Sequence, residues 1–280
     1  MNILFVSDFS IDQNQGGSQR SSSFLLEEGR NLGFNITEHN YDSSPVNFLY
    51  SYDLVISSNL EVISKTQPQV IDFLLNHKNH IRVERDSCLY LDDETRKQLF
   101  SKAKKTFFLT EFHYDFFNKK YGSYFKNVNI VPSYVDSEIF FEDSNDKDID
   151  VVYCGFIHPL KGSENLANWA KQNENRSVDV FGWGETSILS GLNNIRFHGK
   201  LSHDEMPNIF RRSNYIYHDP IVNEPFCRMT AEASLCGCKF IGNLGKIGSL
   251  IEIKNKGLDI FRYECNNAVN EFWNLIINND

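Results

Sequence analysis

The segment from Asn223 to Glu232 (Asn-Glu-Pro-Phe-Cys-Arg-Met-Thr-Ala-Glu) carries two carboxylates, a guanidinium and a thiol in a short span. An apolar run that reads as a strand precedes it, and the segment itself reads as the opening of a helix over Phe226–Leu235. Pro225 suits a first helical turn, where its missing N–H costs nothing, and Gly237 suits the stop. A helix N-terminus presents unpaired N–H groups and about half a positive charge, which together make a phosphate site. In that setting Glu224 sits at the helix mouth and Glu232 about two turns in. Spacing alone leaves a second reading open, with Glu224 as an N-cap and Arg228–Glu232 as an i,i+4 surface pair.

A second segment, Gly155-Phe156-Ile157-His158-Pro159-Leu160-Lys161-Gly162, ends a strand on a glycine and delivers a lysine just before a helix. That puts an ammonium where a diphosphate would bind, although the pattern lacks the Gly-Lys-Ser/Thr of a P-loop, and an ordinary solvated loop reads the same way. Gly182-Trp183-Gly184 is a strand-to-loop turn that allows close backbone approach or simply turns tightly. No GxGxxG follows the first strand, so dinucleotide binding has little support. In the first half, Gly16-Gly17 after the first strand could admit a ligand to the backbone or be a plain loop. Glu84-Arg85-Asp86 puts three charges at a strand end, facing either a ligand or solvent. His113, His198 and His203 have no metal-ligand spacing, and no metal site is read from the sequence.

These segments need a scaffold that aims loops at one place. Short apolar strands (Asn2–Ser7, Asp53–Ser57, His80–Glu84, Lys104–Leu109, Asn127–Val131) alternate with helical stretches, and the alternation restarts after the run 142–148, which has no apolar residue. This predicts an α/β protein of two doubly wound domains, residues 1–147 and 148–264, with a final helix in 265–280 returning toward the first domain. Ligands of such sheets sit beyond the carboxyl ends of the strands, so two facing domains are expected to form a cleft. Hydrophobic residues are 41% of the 280, enough for two cores. Lys+Arg 28 against Asp+Glu 37 leaves a net charge of −9, the wrong sign for a protein held on nucleic acid by counterion release. No run approaches the roughly 18 apolar residues of a membrane span. The opening Met1–Asp8 lacks a basic n-region, and the six cysteines form no CxxC pair; a cytoplasmic protein with free thiols is expected.

From Val151 to about Ile251, the order and spacing of these motifs resemble the C-terminal domain of retaining glycosyltransferases of family 4, which have the GT-B fold of two Rossmann-like domains. Tyr153-Cys154-Gly155 through Lys161-Gly162 resembles the family's strand–glycine–lysine loop, Phe181–Gly184 its Gly-x-Gly turn, and Glu224 to Glu232 its Glu-x7-Glu motif. Gly16-Gly17 and Val131–Phe140 resemble its first glycine-rich loop and its interdomain segment. The resemblance implies transfer of a sugar from a nucleoside diphosphate without a metal or other cofactor. Glu224 would contact the sugar hydroxyls and Glu232 the ribose. Lys161, with backbone N–H groups from Phe226 through Cys227 to Arg228, would neutralise the diphosphate, and Gly16-Gly17 would close on it or on the acceptor from the other domain. Pro225, Gly155, Gly182 and Trp183 would complete the donor site, with Glu84, Arg85 and Asp86 on the acceptor side. The chain departs from the pattern at Phe156, where the family usually has arginine, leaving Arg228 or His158 to supply that charge. It departs again at Cys227, where glycine is common. The acceptor stays open among a glycan, a lipid, a small molecule and a modified nucleic acid base, the last opposed by the negative charge. An epimerase of the same fold and a nucleotide-sugar-binding protein without activity are the alternatives; oligomeric state has no signal.

Overall fold

The computed structural model describes residues 1–14, 16–43, 51–87, 90–143 and 146–278, which form two compact units. The first comprises Met1–Tyr134 and the chain from Asn267 onward. Its elements are β1 (Asn2–Val6), α1 (Gly17–Asn31), β2 (Asn35–His39), β3 (Leu54–Ser57), α2 (Ile63–Thr66), α3 (Pro68–Asn76), β4 (His80–Val83), α4 (Asp93–Lys102), β5 (Lys105–Phe108), α5 (Glu111–Tyr121) and β6 (Val128–Ile130). The sheet is wholly parallel, in the order β2-β1-β3-β4-β5-β6. Successive side chains of a strand point to opposite faces, so a sheet covered on both faces needs apolar residues at every position. In β1, Ile3 and Phe5 pack with Leu25 and Leu26 of α1, while Leu4 and Val6 pack with Val70 and Leu74 of α3. Each such side chain contributes roughly 1.5–3 kcal/mol on burial.

The second unit, Val135–Asn266, contains β7 (Ile149–Ile157), α6 (Ser163–Gln172), β8 (Val178–Gly184), β9 (Ile195–Gly199), α7 (Met206–Arg212), β10 (Ser213–Tyr217), α8 (Arg228–Leu235), β11 (Lys239–Ile241) and α9 (Gly248–Lys256). This sheet is also parallel throughout, in the order β11-β10-β7-β8-β9. The last helix, α10 (Leu258–Ile277), belongs to the second unit up to Asn266 and to the first from Asn267. Its C-terminal part puts Ala268, Phe272 and Trp273 into the core beside α1, and the Trp273 indole N–H donates to the Leu25 carbonyl at 2.9 Å. Gly29 makes room for that ring: a Cβ there would lie 2.4 Å from Trp273 Cζ2.

The units divide after Tyr134 rather than at 147/148. Residues 135–141 are tied to the second unit through Val135 N–H to the Cys265 carbonyl (3.4 Å), Ser137 to Asn266 Oδ1 (3.1 Å) and Arg211 to the Ile139 carbonyl (3.0 Å). In the run 142–148, Ser144 and Asn145 lie outside the described residues, as does Cys88; the other five cysteines are free thiols. Among the elements without a clear sequence signal are β2, α4 and α9. β2 is an edge strand with polar alternation, α4 buries only Arg96, Leu99 and Phe100, and α9 is short and bounded by glycines.

Candidate active site

In the second sheet the chain runs outward from β7 to β8 and β9, then returns to the other side of β7 with β10 and β11. The order therefore reverses between β7 and β10, and the carboxyl ends of those two strands are where an open α/β sheet binds ligands. The loops leaving them carry Lys161 and Glu224, and the structure joins the two: Lys161 Nζ lies 2.6 Å from Glu224 Oε1. Backbone packing fixes this meeting. Gly162 adopts a left-handed conformation (φ 83°), and a Cβ there would lie 2.0 Å from the Asp219 carbonyl oxygen. Ile221 N–H donates to the Leu160 carbonyl at 3.0 Å, zipping the two loops together. Glu224 is held from the far side by a bridge to Ile247, its N–H donating to the Lys246 carbonyl (2.8 Å) and its carbonyl accepting from Gly248 N–H (2.9 Å).

The helix expected to open at Pro225 begins instead at Arg228. Cys227 intervenes in a left-handed conformation, φ 63° and ψ 84°, and is the one non-glycine residue with positive φ among those described. Such a backbone costs on the order of 1–3 kcal/mol outside glycine. Glu224 and Pro225 thus precede the helix rather than cap it, and α8 carries no side-chain cap. Phe226 is buried against Phe261, with ring centroids 5.9 Å apart, and its carbonyl accepts from Ser249 N–H at 2.9 Å, which anchors the turn.

A residue that the motif spacing did not single out, His218, completes the group. It follows β10 and is 4% exposed. Neither ring nitrogen has a hydrogen-bond partner among the described residues. Its Nε2 lies 3.7 Å from Glu224 Oε1, longer than a hydrogen bond, so the two interact through charge. Burial alone would lower the His218 pKa; the Cys227 thiol and Glu224 carboxylate outweigh it and raise the ring to about 10. Burial likewise opposes the Glu224 carboxylate, but His218 and Lys161 hold it down at about 2. The site thus keeps an anion between two cationic groups. Of the described residues, His218, Glu224 and Cys227 form a set whose nitrogen, oxygen and sulfur atoms lie within 4.8 Å of one another, a donor set able to hold a metal ion.

Glu232 lies deeper, 2% exposed, and its Oε1 meets Arg228 Nη2 at 2.8 Å and His203 Nε2 at 3.1 Å. Burial would raise its pKa, yet Arg228 and His203 hold it below the usual carboxylate range. The i,i+4 pair exists, but inside the protein rather than on its surface. At the ends of β7 and β8, Gly155 pairs with Gly182 and Phe156 with Trp183. A Cβ on Gly182 would lie 2.2 Å from the Gly155 carbonyl oxygen, so this pair requires glycine. Phe156 and Trp183 are 42% and 47% exposed and form a shelf with His158 stacked on Phe156, ring centroids 5.3 Å apart. A shallow depression of about 720 Å³ opens nearby between Trp169, Tyr217 and Gly242–Gly245, and shares no residue with the Lys161–Glu224 pair.

The remaining expected residues lie in the first unit. Gly16 and Gly17 are the N-cap and first residue of α1, in the loop after β1. Glu84 is not a ligand-facing or solvated charge, as its place at a strand end suggested. It is 3% exposed and joined to Arg82 (2.7 Å) and Arg96 (3.4 Å) in a buried ion-pair network. Arg85 is buried too, lining a small apolar hollow with Leu25, Phe107 and Phe272, and Asp86 follows it at the end of the segment.

No family model matches the sequence, and no curated protein matches it. Solved structures do. Sucrose-phosphate synthase from Thermosynechococcus elongatus superposes with a TM-score of 0.71 at 11% identity, over 97% of this chain and 93% of that one. HepE from Anabaena, solved with UDP-glucose, gives 0.67 at 14% identity over 99% and 90%. A glycosyltransferase from Rickettsia africae gives 0.61 at 13% identity over 100% and 99%. The fold is therefore GT-B, an α/β architecture of two doubly wound sheets.

Proposed function

We propose that the protein is a retaining glycosyltransferase of the family 4 type, moving a sugar from a nucleoside diphosphate to an acceptor without a divalent ion. The observation that carries this reading is the 2.6 Å contact of Lys161 with Glu224 at the β7/β10 switch point. The reaction must break the anomeric C–O bond as negative charge builds on the departing diphosphate. Donors preorganised where that charge develops contribute most to the rate. The Lys161 ammonium, with the uncapped first turn of α8, meets that charge, and Glu224 is left to accept hydrogen bonds from the sugar. In this reading Glu232, held ionised by Arg228 and His203, accepts from a ribose hydroxyl, and the Phe156–Trp183 shelf offers an aromatic face to the base. UDP and UDP-glucose bound to HepE support a nucleotide-sugar donor.

Thermal shift with UDP, GDP and their sugars tests the donor: a ligand at 100 times its Kd stabilises by about 2.7 kcal/mol. Expected is stabilisation by one diphosphate series, lost in Glu224→Ala, and transfer slowed tenfold or more, on the order of one charge-assisted hydrogen bond. Unchanged transfer in both Lys161→Ala and Glu224→Ala would overturn the assignment. A second reading, donor binding without transfer, has one observation in its favour: Phe156 stands at the position of the arginine in the resembling family, while His158, the neighbour able to replace it, is stacked on Phe156 and caps the following turn. Donor-dependent stabilisation with neither hydrolysis nor transfer would select it.

A further inference from the structure

We propose that His218, Glu224 and Cys227 form a binding site for a thiophilic divalent transition-metal ion of the zinc class, which contends with Lys161 for Glu224. Two independent observations point to a ligand. The first is His218, 4% exposed, whose buried ring nitrogens meet no hydrogen-bond partner among the described residues although polar groups of that kind are nearly always satisfied. The second is Cys227, held in a left-handed backbone that brings its sulfur to the same spot as the imidazole and the carboxylate. Backbone strain of that kind persists where surrounding structure imposes it, and here it delivers a thiol to a nitrogen and an oxygen donor.

The dimensions fit. Zinc bonds of about 2.0–2.2 Å to nitrogen and oxygen at tetrahedral angles put those donors about 3.4 Å apart. His218 Nε2 and Glu224 Oε1 lie 3.7 Å apart, and all three donors fall within 4.8 Å of one another, close to the spacing a bound ion requires. One nitrogen, one carboxylate and one thiolate select zinc or cobalt and reject magnesium and calcium, which take oxygen ligands. Three protein ligands leave a fourth position for water or an anion. The Glu224 oxygen that faces His218 is also the one that Lys161 holds at 2.6 Å, so an ion bound through that oxygen competes with a lysine whose side chain is 42% exposed. An ion seated there removes the carboxylate from donor recognition.

Cobalt titration of the chelator-treated 280-residue chain, followed by absorption, tests the site without any donor. Expected are tetrahedral d–d bands with a thiolate-to-cobalt charge-transfer band, displaced by zinc and unaffected by excess magnesium. Cys227→Ser, which keeps size and polarity, abolishes the charge-transfer band and weakens binding by at least about tenfold. His218→Gln weakens it similarly, and far-ultraviolet circular dichroism reports whether each variant is folded. Lys161→Met tightens cobalt binding by up to about fivefold, as removal of a competing exposed ion pair should, while weakening UDP binding. Absence of the charge-transfer band in the folded wild type, or its persistence in Cys227→Ser, overturns the site. Failure of UDP to bind bears on the transferase reading alone.

Discussion

Replacing Lys161 by methionine keeps the aliphatic stem and removes the ammonium. The pair it breaks has a side chain 42% exposed on one partner, so solvent screens it and folding loses no more than about 1 kcal/mol. His218 stays beside Glu224, and the carboxylate keeps a cationic neighbour at 3.7 Å. The variant should therefore fold. For a diphosphate bound at the switch point, Coulomb attraction to an ammonium 4 Å away is about 4 kcal/mol at an effective dielectric of about 20, before desolvation. After exchange with water, a charge-assisted hydrogen bond leaves roughly 1.5–3 kcal/mol. UDP should then bind roughly tenfold to a hundredfold more weakly. Calorimetric titration of wild type and variant with UDP and with uridine separates this from a general distortion, because uridine carries no phosphate for Lys161 to meet. A UDP affinity within about twofold of wild type, or an equal loss for uridine, refutes the phosphate role.

Other perturbations test the frame around the site. Glu84→Gln removes the anion between Arg82 and Arg96, each 1% exposed, and should destabilise by about 3–5 kcal/mol in urea unfolding; a change under about 1 kcal/mol would mean that the network is not a structural one. Gly29→Ala forces a methyl into a space 2.4 Å from the Trp273 ring, expected to cost about 1–3 kcal/mol, whereas a neutral result would show that α10 can slide on α1. Burial, and then the Arg82 charge, lowers the His80 pKa from 6.5 to about 3. Between those values the unfolded chain takes up a proton that the folded chain refuses. This contribution is therefore complete above pH 6.5 and shrinks as the pH falls, by about 2 kcal/mol from about pH 7 to 5. Urea midpoints of His80→Gln should lose that much of the wild-type pH slope, and parallel slopes would exclude it.

The two sheets were legible because buried parallel strands are apolar on both faces. Leu54–Ser57 and His80–Val83 could hardly be read otherwise, and their bounds agree with the sequence reading to within a residue. What escaped was polar or short: β2 spends half its side chains on solvent, and α4 turns a charged surface outward around Arg96, Leu99 and Phe100. The unit boundary escaped because composition marks where a chain is polar, while the division depends on where it is bound. Residues 135–141 look like a connector and are fastened by Cys265, Asn266 and Arg211, far away in sequence.

The site divides along the same line. Lys161, Glu224 and Glu232 could be picked out because a glycine-bounded lysine loop and paired carboxylates are patterns within one segment. Glu84 misled because its environment is set by Arg82 and Arg96, and a strand-end carboxylate looks the same in sequence whether it faces a ligand or two buried guanidinium groups. His218 carried no signal because its meaning depends on a left-handed turn nine residues later, at Cys227, where a helix was expected to have begun already. Had the helix started at Pro225, the Cys227 backbone would be helical and its thiol carried along the helix surface; with the start delayed to Arg228, the thiol turns toward the imidazole and the carboxylate. One backbone conformation at a position where the resembling family commonly has glycine thus decides whether this corner holds only the Lys161–Glu224 ion pair or also a set of metal donors.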